Sequence, residues 1–354
     1  MYEFNLYCKV IFGEGVLERI AGEISKLRRR FPSKLLIVKD RRQIPKPIEN
    51  IKAKLIQAGC GKVEIFDEVK PNPTKSCVER GVALCRKLGS EGIIAFGGGS
   101  PMDTAKIIAK EAEVGLLVTI PTTAGTGSEV SPWAVIVDEK TGEKVSSIEK
   151  TPDLALLDPI LTITMPPKLT LFTGIDAFSH ALEVYVSKDS NSITDALALK
   201  AIQMVSENLP LAIENGQNIA ARSKMLEGSL LAGIAMLNCG LGLIHAVANT
   251  MGGWYHQLSH GWIIAHLLGE VNKFNRVVEP VKYHEIEKFI KEIENTSSEA
   301  AKRLGIPRIE VKEEDINLLV KRSANNVNAA TNPRDFSSAS VEAIIRDSFQ
   351  IVSR

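Results

Sequence analysis

The chain has 354 residues, with 43 basic and 42 acidic side chains and a formal net charge of +1. Hydrophobic residues make up 44% and charged residues 24%, the balance of a folded globular protein and not of a disordered one; at roughly 150 residues per domain the length provides for two cores. The near-neutral charge excludes the basic field that nucleic-acid binding uses, and no apolar run reaches the ~18 residues that cross a bilayer.

The first residues, MYEFNLYCKV, lack the basic start and apolar core of a signal peptide, so the expected compartment is the cytoplasm. Cys8, Cys60, Cys77, Cys85 and Cys239 are odd in number, scattered and without a CxxC, which predicts buried reduced thiols. Apolar runs at 35–40, 63–69, 92–96 and 116–120 read as strands, and the helical rhythms at 46–58, 77–88 and 102–111 read as the helices between them. This βαβα alternation predicts a parallel sheet covered by helices. Trp133–Lys144 reads as a hairpin turning at Glu139–Gly142, and 152–159 as a further strand. From about 168 onward the pattern is helical, at 190–206, 218–236, 240–251, 280–304, 313–327 and 339–352. The expected organisation is therefore an α/β dinucleotide-binding domain over 1–163 and an all-helical domain over 164–354.

The strand at 92–96 runs into Gly97-Gly98-Gly99-Ser100 and then a helix opening near Pro101. Glycines let the backbone approach an anion, and the N–H groups of a helix N-terminus point at it, so this turn is a candidate pyrophosphate cradle. A second Gly/Thr/Ser-rich stretch, Pro121–Glu129, also follows a strand and carries hydroxyls suited to phosphates and riboses. Asp40 ends its strand where a carboxylate binds a ribose 2′-hydroxyl, which favours NAD. Arg41 and Arg42 follow directly and offer a site for a 2′-phosphate, so NADP stays open.

Four of the six histidines lie between 245 and 266. Asp176 and His180 are four apart in a helical pattern and so share a face about one turn apart. With His245 and His260 they make a candidate ligand set for Fe²⁺ or Zn²⁺.

The segments GGGSPMDTAK (97–106), IPTTAGTGSEVSPWAVI (120–136), LALLDP (154–159), GIDAFSHALEVYVS (174–187), GLGLIHAVANTMGGWYHQLSHG (240–261) and TNPRDF (331–336) together resemble the iron-containing, metal-dependent alcohol dehydrogenases. The resemblance implies the dehydroquinate synthase-like architecture, with an N-terminal nucleotide domain, a C-terminal helical domain and a cleft between them. It implies a metal on Asp176, His180, His245 and His260. It also implies cofactor contacts at Asp40, Asn72, Gly98, Gly99, Ser100, Asp103, Thr122, Thr123, Thr126, Ser128, Val135 and Lys144. The activity implied is hydride transfer between NAD or NADP and a small alcohol, aldehyde or ketone, in a homo-oligomer that is a dimer or larger.

Three departures stand out. Asn249 occupies the position, four after His245, where many relatives carry a histidine for proton movement. The stretch before His260 is one residue longer than common and contains His256, which becomes the candidate proton relay; Gly261 marks His260 as the ligand. The link 111–116 is short. Two other readings compete. One is an enzyme of the same architecture acting on a phosphorylated ligand, like a glycerol-1-phosphate dehydrogenase or a dehydroquinate synthase. The other is a non-catalytic NAD-binding protein with a structural metal. Between 170 and 270 the basic residues are Lys188, Lys200, Arg222 and Lys224, none inside the ligand motifs, which favours a neutral substrate.

Overall fold

The computed structural model describes residues 1–41 and 45–353; Arg42, one of the two arginines considered for a 2′-phosphate, lies outside them. The chain divides into two compact units, Leu6–Ile163 and a second made of Thr164–Arg354 with Met1–Asn5. The first five residues thus go with the helical unit. Asn5 donates its N–H to the Asn238 side chain at 2.6 Å and its carbonyl accepts back from the same amide at 3.1 Å.

The N-terminal unit runs β1 (Lys9–Phe12), α1 (Ile20–Leu27), β2 (Lys34–Asp40), α2 (Pro45–Gln57), β3 (Lys62–Val69), α3 (Lys75–Leu88), β4 (Gly92–Gly97), α4 (Gly99–Glu111), β5 (Leu116–Pro121), β6 (Trp133–Val137), β7 (Lys144–Ile148) and β8 (Leu154–Leu157). Six strands form one parallel sheet in the order β1-β8-β5-β4-β2-β3. The central strands β4 and β5 are buried along their whole length, as the continuous apolar runs of a two-sided parallel sheet require. Alternate side chains feed two cores. Leu35, Ile37, Ile94, Phe96 and Val118 pack with Ile20, Ile24, Ile51 and Leu55 of α1 and α2. Leu36, Val38, Ile93, Ala95 and Leu117 pack with Val78, Val82, Met102 and Ala105 of α3 and α4. The helices after β2 and β4, neighbouring strands, therefore leave to opposite faces, and the carboxyl ends of these two strands form a topological switch point.

β6 and β7 form a separate antiparallel hairpin. Its return strand begins at Lys144 and runs to Ile148, four residues past the expected end. The turn is closed by Asp138, whose Oδ1 accepts from the Lys140 and Thr141 N–H groups at 2.7 and 3.2 Å.

The second unit contains α5 (Pro167–Val186), α6 (Ser192–Glu214), α7 (Ile219–Cys239), α8 (Leu243–Trp254), α9 (His260–Asn275), α10 (Pro280–Arg303), β9 (Glu310–Lys312), α11 (Ile316–Ala324), α12 (Ser338–Ser348) and β10 (Gln350–Val352). It is helical except for one small parallel pair, β9 with β10. This corrects the helix expected over 339–352: α12 ends at Ser348, and the β-branched pair Ile351-Val352 continues as a strand. The helix expected over 313–327 is confined to 316–324, after a 3₁₀ turn at Glu313–Asp315. Among the described residues no single helix is long and apolar enough to cross a membrane; α7 and α8 pass that test only as a pair bent by 100°. All five cysteines are free and buried.

Candidate metal and nucleotide sites

In the helical unit, α5 carries Asp176, His180 and Glu183 at i, i+4 and i+7, on one face of the helix. His245 is the third residue of α8 and His260 the first residue of α9. Asp176, His180 and His245 converge, and His260 reaches the same Asp176 oxygen without joining their mutual cluster. The Nε2 atoms of His180, His245 and His260 lie 3.7, 3.5 and 3.7 Å from one oxygen, Oδ1 of Asp176. The His180 and His245 rings stack at 4.4 Å with 14° between their planes, and His260 is tilted against His245 at 5.5 Å. Asp176, His180 and His245 are buried, and each offers a ligand atom within 4.8 Å of those of the others.

These spacings fit a shared ion. Two donor atoms each about 2.1 Å from one cation, separated by the tetrahedral angle, lie about 3.4 Å apart. Contacts of 3.7 Å are too long to be hydrogen bonds, whereas a ring of donors around a common centre requires separations of this size. One carboxylate and three imidazoles suit Fe²⁺ and Zn²⁺ alike. The electrostatics agree. Burial by itself pushes the Asp176 carboxyl up, but His180, His245 and His260 outweigh it and hold the group well below the usual range. Burial pushes the His245 imidazole down, and Glu183 and Asp176 reverse this and raise it to about 9; a cation entering the site displaces that proton.

The glycine after His260 has a packing reason. A Cβ on Gly261 would sit 1.9 Å from the Phe172 carbonyl oxygen, so only a glycine lets the start of α9 lie against the backbone of α5. His256 is exposed on the turn between α8 and α9; neither it nor His260 belongs to the buried Asp176–His180–His245 group. Asn249 is half-buried in α8. Of the aromatic residues near these motifs, Phe178 is fully buried, while Trp254 is 40% exposed beneath the Arg322 guanidinium at 5.4 Å. Trp262 donates its indole N–H to the Pro307 carbonyl at 2.9 Å and sits 5.9 Å from the Phe172 ring.

Glu183 is a residue that motif reading passed over. Its Oε2 accepts from Nδ1 of His245 at 2.6 Å and its Oε1 accepts from the Ile244 N–H at 2.6 Å. Asn332, in the TNPRDF segment, accepts from the Leu243 N–H at 3.2 Å and exchanges two hydrogen bonds with Asn275. The signal for Glu183 was present in the sequence as its seven-residue spacing from Asp176. Nothing local signals that Asn332 reaches α8.

In the N-terminal unit, the register aligns Lys39 with Phe96 and Gly97 with Pro121, so Asp40 and both Gly/Thr-rich stretches leave the sheet side by side at the switch point. Gly98 caps α4 with an extended backbone and Gly99 opens the helix. A Cβ on either would stand 3.0 Å from Thr123 or Thr126, so the second loop packs directly on the first. The Thr122 N–H also binds the Gly97 carbonyl at 2.9 Å. Ser100 lies in the first turn of α4 with its helix N–H groups, the arrangement that holds a phosphate.

Asp103 is committed within the protein: its carboxylate accepts from the Ser128 hydroxyl at 2.7 Å and from the Val135 N–H at 3.0 Å. Buried Lys106 donates to Ser128 at 2.5 Å and to the Trp133 carbonyl at 2.8 Å. Two of the expected cofactor contacts, Ser128 and Val135, therefore both bond to a third, Asp103. Asn72 holds a left-handed backbone, φ +55°, after β3, and Lys144 opens β7 opposite Val137. Asp40 lines a cavity of about 530 Å³ with Arg41, Glu68, Lys70 and Arg80. Arg41 lies 3.9 Å from Asp67, and Arg80 pairs with Glu68 at 2.7 Å.

Comparison with known proteins places both units. The family model for "Iron-containing alcohol dehydrogenase" matches residues 8–159, and that for "Fe-containing alcohol dehydrogenase family, C-terminal" matches 170–349. The chain is 33% identical over 373 aligned residues to the NAD-dependent methanol dehydrogenase of Bacillus methanolicus, covering 95% of this chain and 97% of that one. Among solved structures, a 1,3-propanediol oxidoreductase matches with TM-score 0.90 at 31% identity, covering 99% of this chain and 100% of that one. An iron-containing alcohol dehydrogenase from Thermotoga maritima matches with TM-score 0.88 at 31% identity, covering 99% of both chains.

Proposed function

Because the chain belongs to the iron-containing alcohol dehydrogenase family and is a metal-dependent alcohol oxidoreductase of that family, we propose that Asp176, His180, His245 and His260 hold its divalent ion, Fe²⁺ or Zn²⁺. The observation that carries this is the convergence of three imidazole nitrogens on one Asp176 oxygen at 3.5–3.7 Å. When bound, the ion supplies Lewis acidity to an alcohol or carbonyl oxygen and NAD exchanges the hydride. Asp176 brings one negative charge and the three neutral imidazoles none, so the ligand set leaves a divalent cation net positive. Burial of Asp176, His180 and His245 keeps bulk water from competing for that charge.

For the nucleotide we propose Gly98, Gly99, Ser100, Thr122, Thr123 and Thr126 at the phosphates, where two adjacent loops and the N-terminus of α4 meet. Asp40 and Asn72 would lie toward the ribose end and Lys144 on the hairpin. Asp103, Ser128 and Val135 act as the brace that fixes α4 against the second loop and β6. NAD is the preferred form, since Asp40 stands at the end of β2. The proton would leave through His256, exposed on the turn between α8 and α9, or through a chain of waters.

The substrate is a small neutral alcohol, aldehyde or ketone. Of the four basic residues in the region, Arg222 is buried against Thr170 and the Gly216 and Met165 carbonyls. Lys188 pairs with Asp335 and Lys224 with Glu227, and Lys200 is exposed on α6, so none of the four stands in the ligand motifs. Free buried thiols support a cytoplasmic setting, and family membership supports a homodimer or larger assembly. The test is NADH formation with short-chain alcohols beside glycerol phosphate: turnover of the neutral alcohols is expected, and preference for the phosphorylated substrate would overturn the reading.

A further inference from the structure

We propose that Glu183 is a positioning residue for the metal centre, coupling the N-terminus of α8 to the ring of His245; this rests on the ligand assignment above. The cap of α8 is Gly242, which has no side chain to accept from the helix's first N–H groups. Two residues from elsewhere replace it, Asn332 on the Leu243 N–H and Glu183 on the Ile244 N–H. Glu183 uses its second oxygen for Nδ1 of His245 at 2.6 Å. An ionised carboxylate has only acceptors to offer, so Nδ1 of His245 is the donor in this bond and carries the hydrogen. Nε2 is then left to face Asp176, 3.5 Å away.

One buried side chain, 2% exposed, therefore sets three things together: where α8 starts, the rotation of the His245 ring, and which nitrogen faces the ion. Gly242 makes this approach possible, since a Cβ there would stand 2.8 Å from Glu183 Oε1. A carboxylate behind a ligand imidazole fixes its orientation and raises its basicity. Because Glu183 shares α5 with Asp176 and His180, a single helix holds two ligands directly and orients a third.

The experiment is chelator competition for Zn²⁺ on the full-length chain and on the E183Q, E183A and H180A variants. Circular dichroism and melting temperature are followed in parallel, with the absorption bands of the Co²⁺-loaded forms as a spectroscopic readout. E183Q keeps the shape but has one oxygen for two donors. It is expected to bind Zn²⁺ roughly 10–100-fold more weakly with its helix content intact, and to shift the Co²⁺ bands. Wild-type Zn²⁺ affinity and Co²⁺ bands in E183Q, alongside a large loss in H180A, would overturn the positioning role and leave the ligand set standing. Wild-type affinity in H180A would overturn both. Should E183A fail to fold, E183Q alone decides.

Discussion

Gly261→Ala probes how tightly packing sets the metal site. The added methyl would lie 1.9 Å from the Phe172 carbonyl oxygen, where carbon and oxygen come no nearer than about 3.3 Å. The first turn of α9 has to retreat by about 1.4 Å, since both partners are backbone and no side chain can swing aside. His260 is the preceding residue, so it moves with the turn and its Nε2 leaves the 3.7 Å position beside Asp176. A misplacement near 1 Å at a reacting centre costs on the order of 100-fold in rate, and overpacking costs about 1–3 kcal/mol in stability. Metal affinity, kcat/KM and melting temperature measured together should show all three losses. Gly269→Ala is the control in the same helix: its methyl finds only the Glu294 side chain, at 3.7 Å, and should be neutral or stabilising by about 0.5–1 kcal/mol through helix propensity. A G261A enzyme with wild-type metal affinity and turnover would refute this reasoning.

Two further predictions concern the N-terminal unit. Glu129 is 2% exposed, its Oε1 has no hydrogen-bond partner, and burial raises its carboxyl to about 7. The folded state thus keeps a proton that the unfolded chain releases near pH 4.5, and stability falls as pH rises from about 4.5 to 7, by about 3 kcal/mol. Denaturant titrations across that range should show this fall in the wild type and its loss in Glu129→Gln; an unchanged slope would contradict the assignment. Asp40→Ala removes the charge that opposes a 2′-phosphate and should shift the NAD-to-NADP ratio of kcat/KM toward NADP by roughly tenfold or more; a ratio unchanged within twofold would place the ribose elsewhere.

The sheet was legible because strands buried on both faces leave continuous apolar runs, such as LLIV at 35–38 and IIAF at 93–96. The proposed ligand set was suggested in the sequence because Asp176 and His180 share a helical face and His260 is followed by Gly261. What stayed hidden depends on distant packing. β1, β9 and β10 are only three or four residues long and gain their pairing from strands far along the chain, so no periodicity marks them. Asn332 reaches α8 across 89 residues, a contact no local pattern encodes. Asp103, Ser128 and Val135 were placed among the cofactor motifs by resemblance, and the bonds of Ser128 and Val135 to Asp103 are long-range contacts that no local pattern encodes.

The central claim is that Asp176, His180, His245 and His260 would hold one divalent ion, whose Lewis acidity would serve the oxidation of an alcohol by NAD. The most direct measurement is metal content, NAD binding and alcohol turnover on anaerobically purified wild-type and His180→Ala protein. The account predicts about one ion per wild-type chain, and, in the variant, loss of the ion and of turnover with NAD binding retained. Full turnover by a metal-free sample would contradict it.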